Sequence, residues 1–520
     1  MTYKTNAAGR NVITTLNGEP AIPYQGVGKY KPRGRMHASP VRSCSEYPED
    51  GDKRVKDLQQ ALELAGLKDG MTISTHHHFR NGDYLANMVF DIAHAMGIKG
   101  LRWFPSASFP CHAHLIPYLE DGTIERIEGS MNGPLGRFVS EGRMKGTAVL
   151  RSHGGRYQAV QDGEVKIDIA VVGAPTADPF GNANGLQGDS ACGLLGFAQA
   201  DATYAERVIV ATDNLVPFPC IPWQLQGNYV DYVVEVQKLG DPSQIVSGTT
   251  QITRSPDRLL LAELTARFCD AAGIIRDGFS FQSGAGGTSL AVGEYFRSIM
   301  KEKGIRARFA RGGSNKYLVS MLEEGLVEYI LDGQTFDLEG IRSMAQNPAH
   351  VWTSPFTSYN YHGKGNFAGM VDVVVLGATE VDLQFNANVV THSDGILLHG
   401  IGGWQNCLFS KTVILPVPLF RDRVPVIREA VTTLCGPGEL IDVIVTERGI
   451  AINPARTDLI EKTRRSGLPI RSVEELKAEA DQICGIPEPP VMEERVVAAI
   501  KWVDGTIMDV VHQAAIRKAH

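Results

Sequence analysis

The sequence has no run approaching the ~20 apolar residues that a membrane-spanning helix needs. Met1–Asn11 is polar and lacks the apolar core of a signal peptide. Cysteine is sparse: eight in 520 residues, scattered from Cys44 to Cys484, with no CxxC pair. That spacing argues against a disulfide framework and points to reduced thiols in a cytoplasmic enzyme. Basic charge is not in excess. A formal net charge of −7 leaves no broad basic face for nucleic acid, while a local basic pocket for an anionic substrate stays open. Zinc-site spacing is missing as well. His76, His77 and His78, and the Cys111-His112-Ala113-His114 cluster, gather potential ligands without a matching second pair, so no bound metal is expected.

Glycine is what the chain has in quantity, 55 residues, which implies tight turns and close backbone approaches. Hydrophobic residues at 43% and charged residues at 21% describe a soluble globular protein. At roughly 150 residues per domain, the length calls for two or three domains. Comparing the chain with itself supplies the division. Residues 168–184, DIAVVGAPTADPFGNAN, align without a gap with residues 372–388, DVVVLGATEVDLQFNAN. Upstream, AGLKDGMTIST (65–75) is similar to AGIIRDGFSFQSG (272–284). Each is followed by a helix-like stretch (84–96 and 289–303) and a basic strand-like segment (97–104 and 304–310). This predicts two homologous domains, 45–240 and 241–520, after an N-terminal extension, 1–44. The extension is rich in Gly, Pro, Arg and Lys, shows no periodicity, and reads as an extended arm.

The local pattern defines the fold class. Asp-Gly turns lead into short β-rich runs, then polar loops, then helices with apolar residues three and four apart (Leu85, Met88, Val89, Ile92). IAVVGA and VVVLGA are apolar without alternation, as strands buried on both faces are. The expectation is α/β: two homologous open α/β domains, with ligands beyond the carboxyl ends of the strands. Residues 495–512 read as a closing hairpin around an Asp-Gly turn.

The halves differ where chemistry would matter. Glu380 stands opposite Thr176, and a carboxylate just after a buried strand can act as base or nucleophile; capping a turn or pairing with an arginine is the alternative. Ser283, Gly284, Ala285, Gly286 and Gly287 open a helix and could offer N–H groups to a phosphate or oxyanion, although no GK[ST] follows and the GxGxxG spacing is incomplete. Gly400, Gly402 and Gly403, in GIGGWQN, could hold the oxyanion of an attacked thioester; tight turns are the plainer use of both runs. His76–His78 occupy the first-half counterpart of the SGAGG loop and, with Arg80, suit an anionic ligand. Arg156, in His153-Gly154-Gly155-Arg156, could hold a carboxylate bidentately or lie in a surface turn.

With these residues assembled, the chain resembles the α subunit of citrate lyase from about residue 50 onward. The matching segments are GMTISTHHHFRNGD (70–83), FGNANG (180–185), GFSFQSGAGGTSLAV (278–292), EVDLQFNANV (380–389) and INPAR (452–456). More distantly it is similar to CoA-transferases and acetyl-CoA hydrolases built from two related α/β domains. The resemblance implies a citrate CoA-transferase that passes a CoA-like carrier from acetyl thioester to citrate and releases acetate. In the distant relatives the residue matching Glu380 attacks the thioester. The turn matching Gly400–Gly403 serves the oxyanion, and the turn matching Gly284–Gly287 contacts the CoA side. In the citrate enzymes the transfer is thought to run through a ternary complex, which would make Glu380 an orienting or proton-handling group. Asn386 and Asn388 of the same segment are assigned with His76, His77, His78 and Arg80 to the substrate. No cofactor is bound covalently; CoA, or the phosphoribosyl-dephospho-CoA arm of an acyl-carrier gamma subunit, is the co-substrate. The implied partners are that gamma subunit and a beta subunit that cleaves the citryl thioester, with a homo-oligomer expected, and no nucleic acid or membrane. Competing readings are a CoA-transferase or hydrolase for another short acid through covalent Glu380, a sugar-phosphate isomerase or sensor on the same fold, and a non-catalytic assembly subunit.

Overall fold

The apolar runs without alternation are strands covered on both faces: Ile169–Gly173 and Val373–Val375 are buried at every residue. The computed structural model describes residues 2–30, 51–244, 251–284, 286–363 and 365–515, apart from the side chain of Ser283. Two large sheets organise these residues.

The first sheet has seven parallel strands in the order Arg54–Val55, Tyr232–Glu235, Arg207–Thr212, Ile169–Gly173, Thr72–Thr75, Leu101–Pro105, Ile124–Ile127. The second has eight, in the order His350–Trp352, Val327–Thr335, Ala307–Ser314, Ser280–Ser283, Val373–Val375, Val413–Pro416, Val443–Thr446, Gly449–Ile452; only the last is antiparallel. In the second sheet the chain starts in the middle, builds outward to one side, and returns to build on the other; the first sheet does the same from Thr72–Thr75 onward, after the edge strand Arg54–Val55. The order therefore reverses between Thr72–Thr75 and Ile169–Gly173 in one sheet, and between Ser280–Ser283 and Val373–Val375 in the other. Loops diverge beyond such points and leave a crevice. His76–Arg80 leaves the first, and the Gly284 loop leaves the second.

The two NAN segments make like hairpins. Thr176–Ala177 pairs antiparallel with Ala183–Asn184, and Glu380–Asp382 pairs with Ala387–Asn388. Asp178 accepts from the N–H groups of Phe180, Gly181 and Asn182; Asp382 accepts from those of Gln384 and Asn386. The sequence-matched Gly181 (φ 99°) and Phe385 (φ 64°) both take the left-handed conformation. A side chain tolerates that region poorly, so the hairpin holds Phe385 at some strain.

The expected C-terminal hairpin is present as Met492–Lys501 against Ile507–Ala514, turning at Gly505 (φ 90°). It does not extend the second sheet. Its first strand pairs with Ala148–Leu150, and Val12, Ile13 and Leu16 pack with Val496, Ala499 and Ile507 in one apolar cluster. The described part of the N-terminal segment is thus a pair of small antiparallel ribbons docked on this hairpin. Among the described residues no helix is long and apolar enough to cross a membrane.

Candidate active site

A cleft of about 200 Å³ opens at the switch point of the second sheet. Strand ends form its floor: Gln282 and Gly284, Gly312 and Gly313, Gln334, and Leu376. The floor is open because side chains are missing there. The ladder slips between Gly312 and Gly313, and a Cβ on Gly313 would lie 1.7 Å from the Phe336 ring. Ile401, Gly403 and Trp404 form one wall, while His153, Phe336 and Tyr359 close the others. The two glycine turns picked out in the sequence therefore meet, through Gly284 and Gly403. Gly402 (φ 60°) accepts from the His153 N–H at 2.8 Å, and Asn406 accepts from the Gly154 N–H at 3.0 Å. The helix His153–Gln161 thus starts against the GIGGWQN turn, so His153–Arg156 is an interior helix start rather than a surface turn.

The first-half loop supplies the facing side. His77 stacks on His153 with ring centroids 5.3 Å apart, and Arg80 lies over Phe336 at 4.9 Å. Burial, followed by the charges of His153, Arg80 and His78, pushes His77 well below the usual imidazole range. Burial, then Arg156 and Arg311, brings His153 down to about 3. Both rings are neutral at pH 7. Arg80 holds φ 53° and has no ion-pair partner among the described residues; burial lowers it to about 10, still charged.

His76 and His78 do not join them. His76 contacts Asp201 at 2.8 Å, and Arg156 clamps the same carboxylate with two bonds of 2.7 Å. Burial would raise Asp201, yet Arg156 and His76 hold it far below the carboxylate range. Arg156 is therefore spent on a buried structural pair and is not a substrate ligand. His78 bonds to the Gly173 carbonyl at 2.8 Å.

Glu380 stands apart from the glycine turns with which the sequence grouped it. It is fully buried, and its carboxylate accepts from Thr432 N–H (2.8 Å), Thr432 Oγ1 (3.1 Å) and Asn388 Nδ2 (3.1 Å), with Arg428 at 3.9 Å. It is not among the residues lining the cleft. Asn388 also donates to Thr391, while Asn386 bridges Asp382 and the Gly438 N–H. The side chains of both asparagines, assigned in the sequence to the substrate, bond within the chain here. Gly400 is likewise a packing glycine, since a Cβ there would lie 1.7 Å from Ser130 Oγ. Gly286 and Gly287 begin the helix Gly287–Lys303. Ala285 and the Ser283 side chain lie outside the described residues.

Two larger cavities, about 440 and 630 Å³, lie beside Pro487–Pro490. Arg10, Arg428, Lys477 and Arg137, which line them, are each paired with an acid. Chemistry favours the smaller cleft over volume. The sequence reading missed Gln282 and Gln334, which only their places near strand ends could have flagged, and Tyr359 and the buried Arg311 behind them, which carry no local signal. Among the described residues no group of three or more His, Cys, Asp or Glu is placed to hold a metal; His112 pairs with Asp83 and His114 with Asp91.

Comparison with known proteins puts this geometry in context. The sequence model of the family described as citrate lyase, alpha subunit, matches residues 51–514. The citrate lyase alpha chain of Escherichia coli (strain K12) is 41% identical over 463 residues, 89% of this chain and 91% of that one. That of Klebsiella pneumoniae is 40% identical over 472 residues, 90% and 93% of the two chains. The alpha subunit of citrate lyase from Streptococcus mutans, solved in complex with citrate, superposes with a TM-score of 0.89 at 41% identity, covering 94% of this chain and 96% of that one. A malonate decarboxylase alpha subunit from Acinetobacter baumannii shares the fold at TM-score 0.59 and 17% identity, over 85% of this chain and 94% of that one.

Proposed function

The chain belongs to the citrate lyase alpha subunit family, and from that premise we propose that it is the citrate transferase of such a complex, acting in the glycine-lined cleft. The observation that carries the assignment is the meeting of Gly284 and Gly403 at a switch point flanked by Arg80 and free of acidic lining residues. The citrate bound by the S. mutans relative supports citrate as the acid.

The reaction exchanges one thioester for another and needs no ATP. A citrate carboxylate attacks the acetyl thioester carbonyl, and the thiolate leaves. The thiolate then attacks the citryl carbonyl of the mixed anhydride, and acetate departs. Backbone N–H groups at Gly403 and Gly284 suit the oxyanion formed at each attack. Holding two acyl groups and a thiolate together supplies much of the rate. None of the residues lining the cleft is acidic, so the lining adds no negative charge to repel the two acids. We favour a direct path without a glutamyl thioester, because Glu380 does not line the cleft and both its oxygens accept hydrogen bonds, from Thr432 and Asn388. Glu380 then acts by bracing its hairpin. The thiol belongs to CoA or to the CoA-like arm of an acyl-carrier gamma subunit. A beta subunit would cleave the citryl thioester that results, in the cytoplasm.

Incubation of the purified chain with acetyl-CoA and citrate should yield citryl-CoA and acetate in equal amounts. Turnover with a different acid and none with citrate would remove the substrate assignment.

A further inference from the structure

Buried arginines in this protein are paired almost without exception. Arg151 meets Glu128 and Glu164, Arg156 meets Asp201, and Arg428 meets Glu380. Arg311, on the strand Ala307–Ser314, is 1% exposed and has no carboxylate partner among the described residues. One nitrogen donates to Gln282 Oε1 at 2.7 Å and reaches Cys407 Sγ at 3.9 Å; among the described residues Nε and Nη2 have no hydrogen-bond partner. A lone buried guanidinium is costly to keep, and a fold that needed only packing there would be better served by an apolar side chain.

What lies in front of it gives the reason. The guanidinium stacks on Tyr359 at 4.8 Å, and Tyr359 lines the cleft. Two glycines clear the space around the phenol: a Cβ on Gly403 would lie 3.1 Å from the Tyr359 hydroxyl, and one on Gly333 would lie 3.2 Å from it and 3.9 Å from Arg311 Nη2. Asp332 is the nearby acid, and its carboxylate is taken by Ser314, Thr335, Gln334 and His350. Burial raises the Tyr359 phenol while Arg311 opposes that rise, so the hydroxyl is a neutral donor in a positive field.

We propose that the Tyr359 hydroxyl donates to a carboxylate of the acid substrate at the Gly333–Gly403 corner of the cleft, with Arg311 behind it as the positioning residue and counter-charge. This rests on the transferase reading above and names the groups that receive the acid. Tyr359 touches the substrate; Arg311 acts through Tyr359 and Gln282.

The test compares the full chain with Arg311→Met, Arg311→Lys and Tyr359→Phe, reading Tm with and without citrate and KM for citrate and for acetyl-CoA. Arg311→Met is expected to leave the ligand-free Tm unchanged or raised and to abolish the rise in Tm that citrate gives. KM for citrate should increase about 10- to 100-fold in Arg311→Met and about 10-fold in Tyr359→Phe, with KM for acetyl-CoA unchanged. Arg311→Lys should recover part of the citrate affinity. The proposal is overturned if Tyr359→Phe and Arg311→Lys bind citrate as the unaltered chain does, or if only kcat moves. It is also overturned if Arg311→Met lowers the ligand-free Tm and Tyr359→Phe leaves citrate binding intact. If the unaltered chain ignores citrate but binds another carboxylate, and the substitutions abolish that binding, the proposal stands and the citrate reading falls. If the chain makes citryl-CoA and the substitutions change nothing, the reverse holds.

Discussion

Replacing Glu380 with Gln separates a catalytic carboxylate from a structural one. In the folded protein Oε2 accepts two N–H donors, from Thr432 and Asn388, and Oε1 accepts the Thr432 hydroxyl. A glutamine can keep its oxygen at the first position and turn its amide toward the hydroxyl, which can accept instead of donate. What it loses is the charge facing Arg428 at 3.9 Å. The expected loss of stability is about 1–3 kcal/mol, the range of a hydrogen bond to a charged group. Glu380→Ala removes both acceptor oxygens, and with them three hydrogen bonds, and leaves Arg428 alone, so about 3–5 kcal/mol is expected. Urea unfolding followed by tryptophan fluorescence measures the difference, and citryl-CoA formation measures kcat on the same samples. If Glu380 braces the hairpin, Glu380→Gln keeps kcat within about threefold, because a uniform loss of stability does not alter transition-state binding. A fall in kcat of about 10²–10⁴ at unchanged stability is the size that loss of a general base produces. That result, or borohydride reduction of Glu380 after incubation with acetyl-CoA, would refute the argument.

Other outcomes follow from the same geometry. Gly403→Val should cut citryl-CoA formation about 10- to 100-fold, because the added groups meet the Tyr359 hydroxyl from 3.1 Å while circular dichroism stays unchanged; full activity would remove this corner from the site. Asp201→Ala leaves Arg156 buried without its carboxylate and should lower stability by about 3–5 kcal/mol in urea unfolding, whereas a loss under about 1 kcal/mol would show that the pair is not structural. Stability should also peak close to neutral pH. His78 (about 4) and His153 (about 3) have folded values below 6.5, so the unfolded chain binds more protons between pH 6.5 and 4, and each group removes up to about 1.4 kcal/mol per pH unit on acidification. His112 opposes burial with Asp83 and Cys111 and rises to about 9, so its contribution is complete below pH 6.5 and is lost as pH climbs through 9. His112→Asn should flatten the alkaline side of a Tm–pH curve and leave the acid side; an unchanged alkaline side would contradict the pairing.

The strands were legible because burial on both faces writes itself as an unbroken apolar run, and IAVVG and VVV form as read. The glycine turns were legible because glycines cluster in two short runs, and at Gly287 and Gly400 a Cβ would lie within 3 Å of a neighbour. Direction across a hairpin was not. A gapless alignment marks Glu380 as different from Thr176, but whether its carboxylate faces the cleft or the hairpin depends on Asn388 and Thr432, eight and 52 residues away. Arg156 misled for the same reason, since its partner Asp201 lies 45 residues on, within an unremarkable helix. Tyr359 and Arg311 carried no local signal at all. They become noticeable only once the sheet order brings Ala307–Ser314 and the segment after His350–Trp352 to one crevice.

A site for acyl exchange between anions meets an electrostatic problem that its own chain makes worse, since acids outnumber bases by seven. The cleft resolves it locally. None of its lining residues is acidic, and two arginines without acid partners among the described residues stand nearby, Arg80 over Phe336 and Arg311 behind Tyr359. In the low dielectric behind Tyr359 an unopposed charge acts more strongly than it would in water. On the proposed reading, a carboxylate bound at Tyr359 would feel a charge that no acid of the same chain cancels. The other buried arginines show the contrast. Arg151, Arg156 and Arg428 are neutralised by carboxylates of the same chain, and their charge is silent toward any ligand. That contrast is what supports the proposed acid-binding role of Tyr359 and Arg311, and it does not call on Glu380.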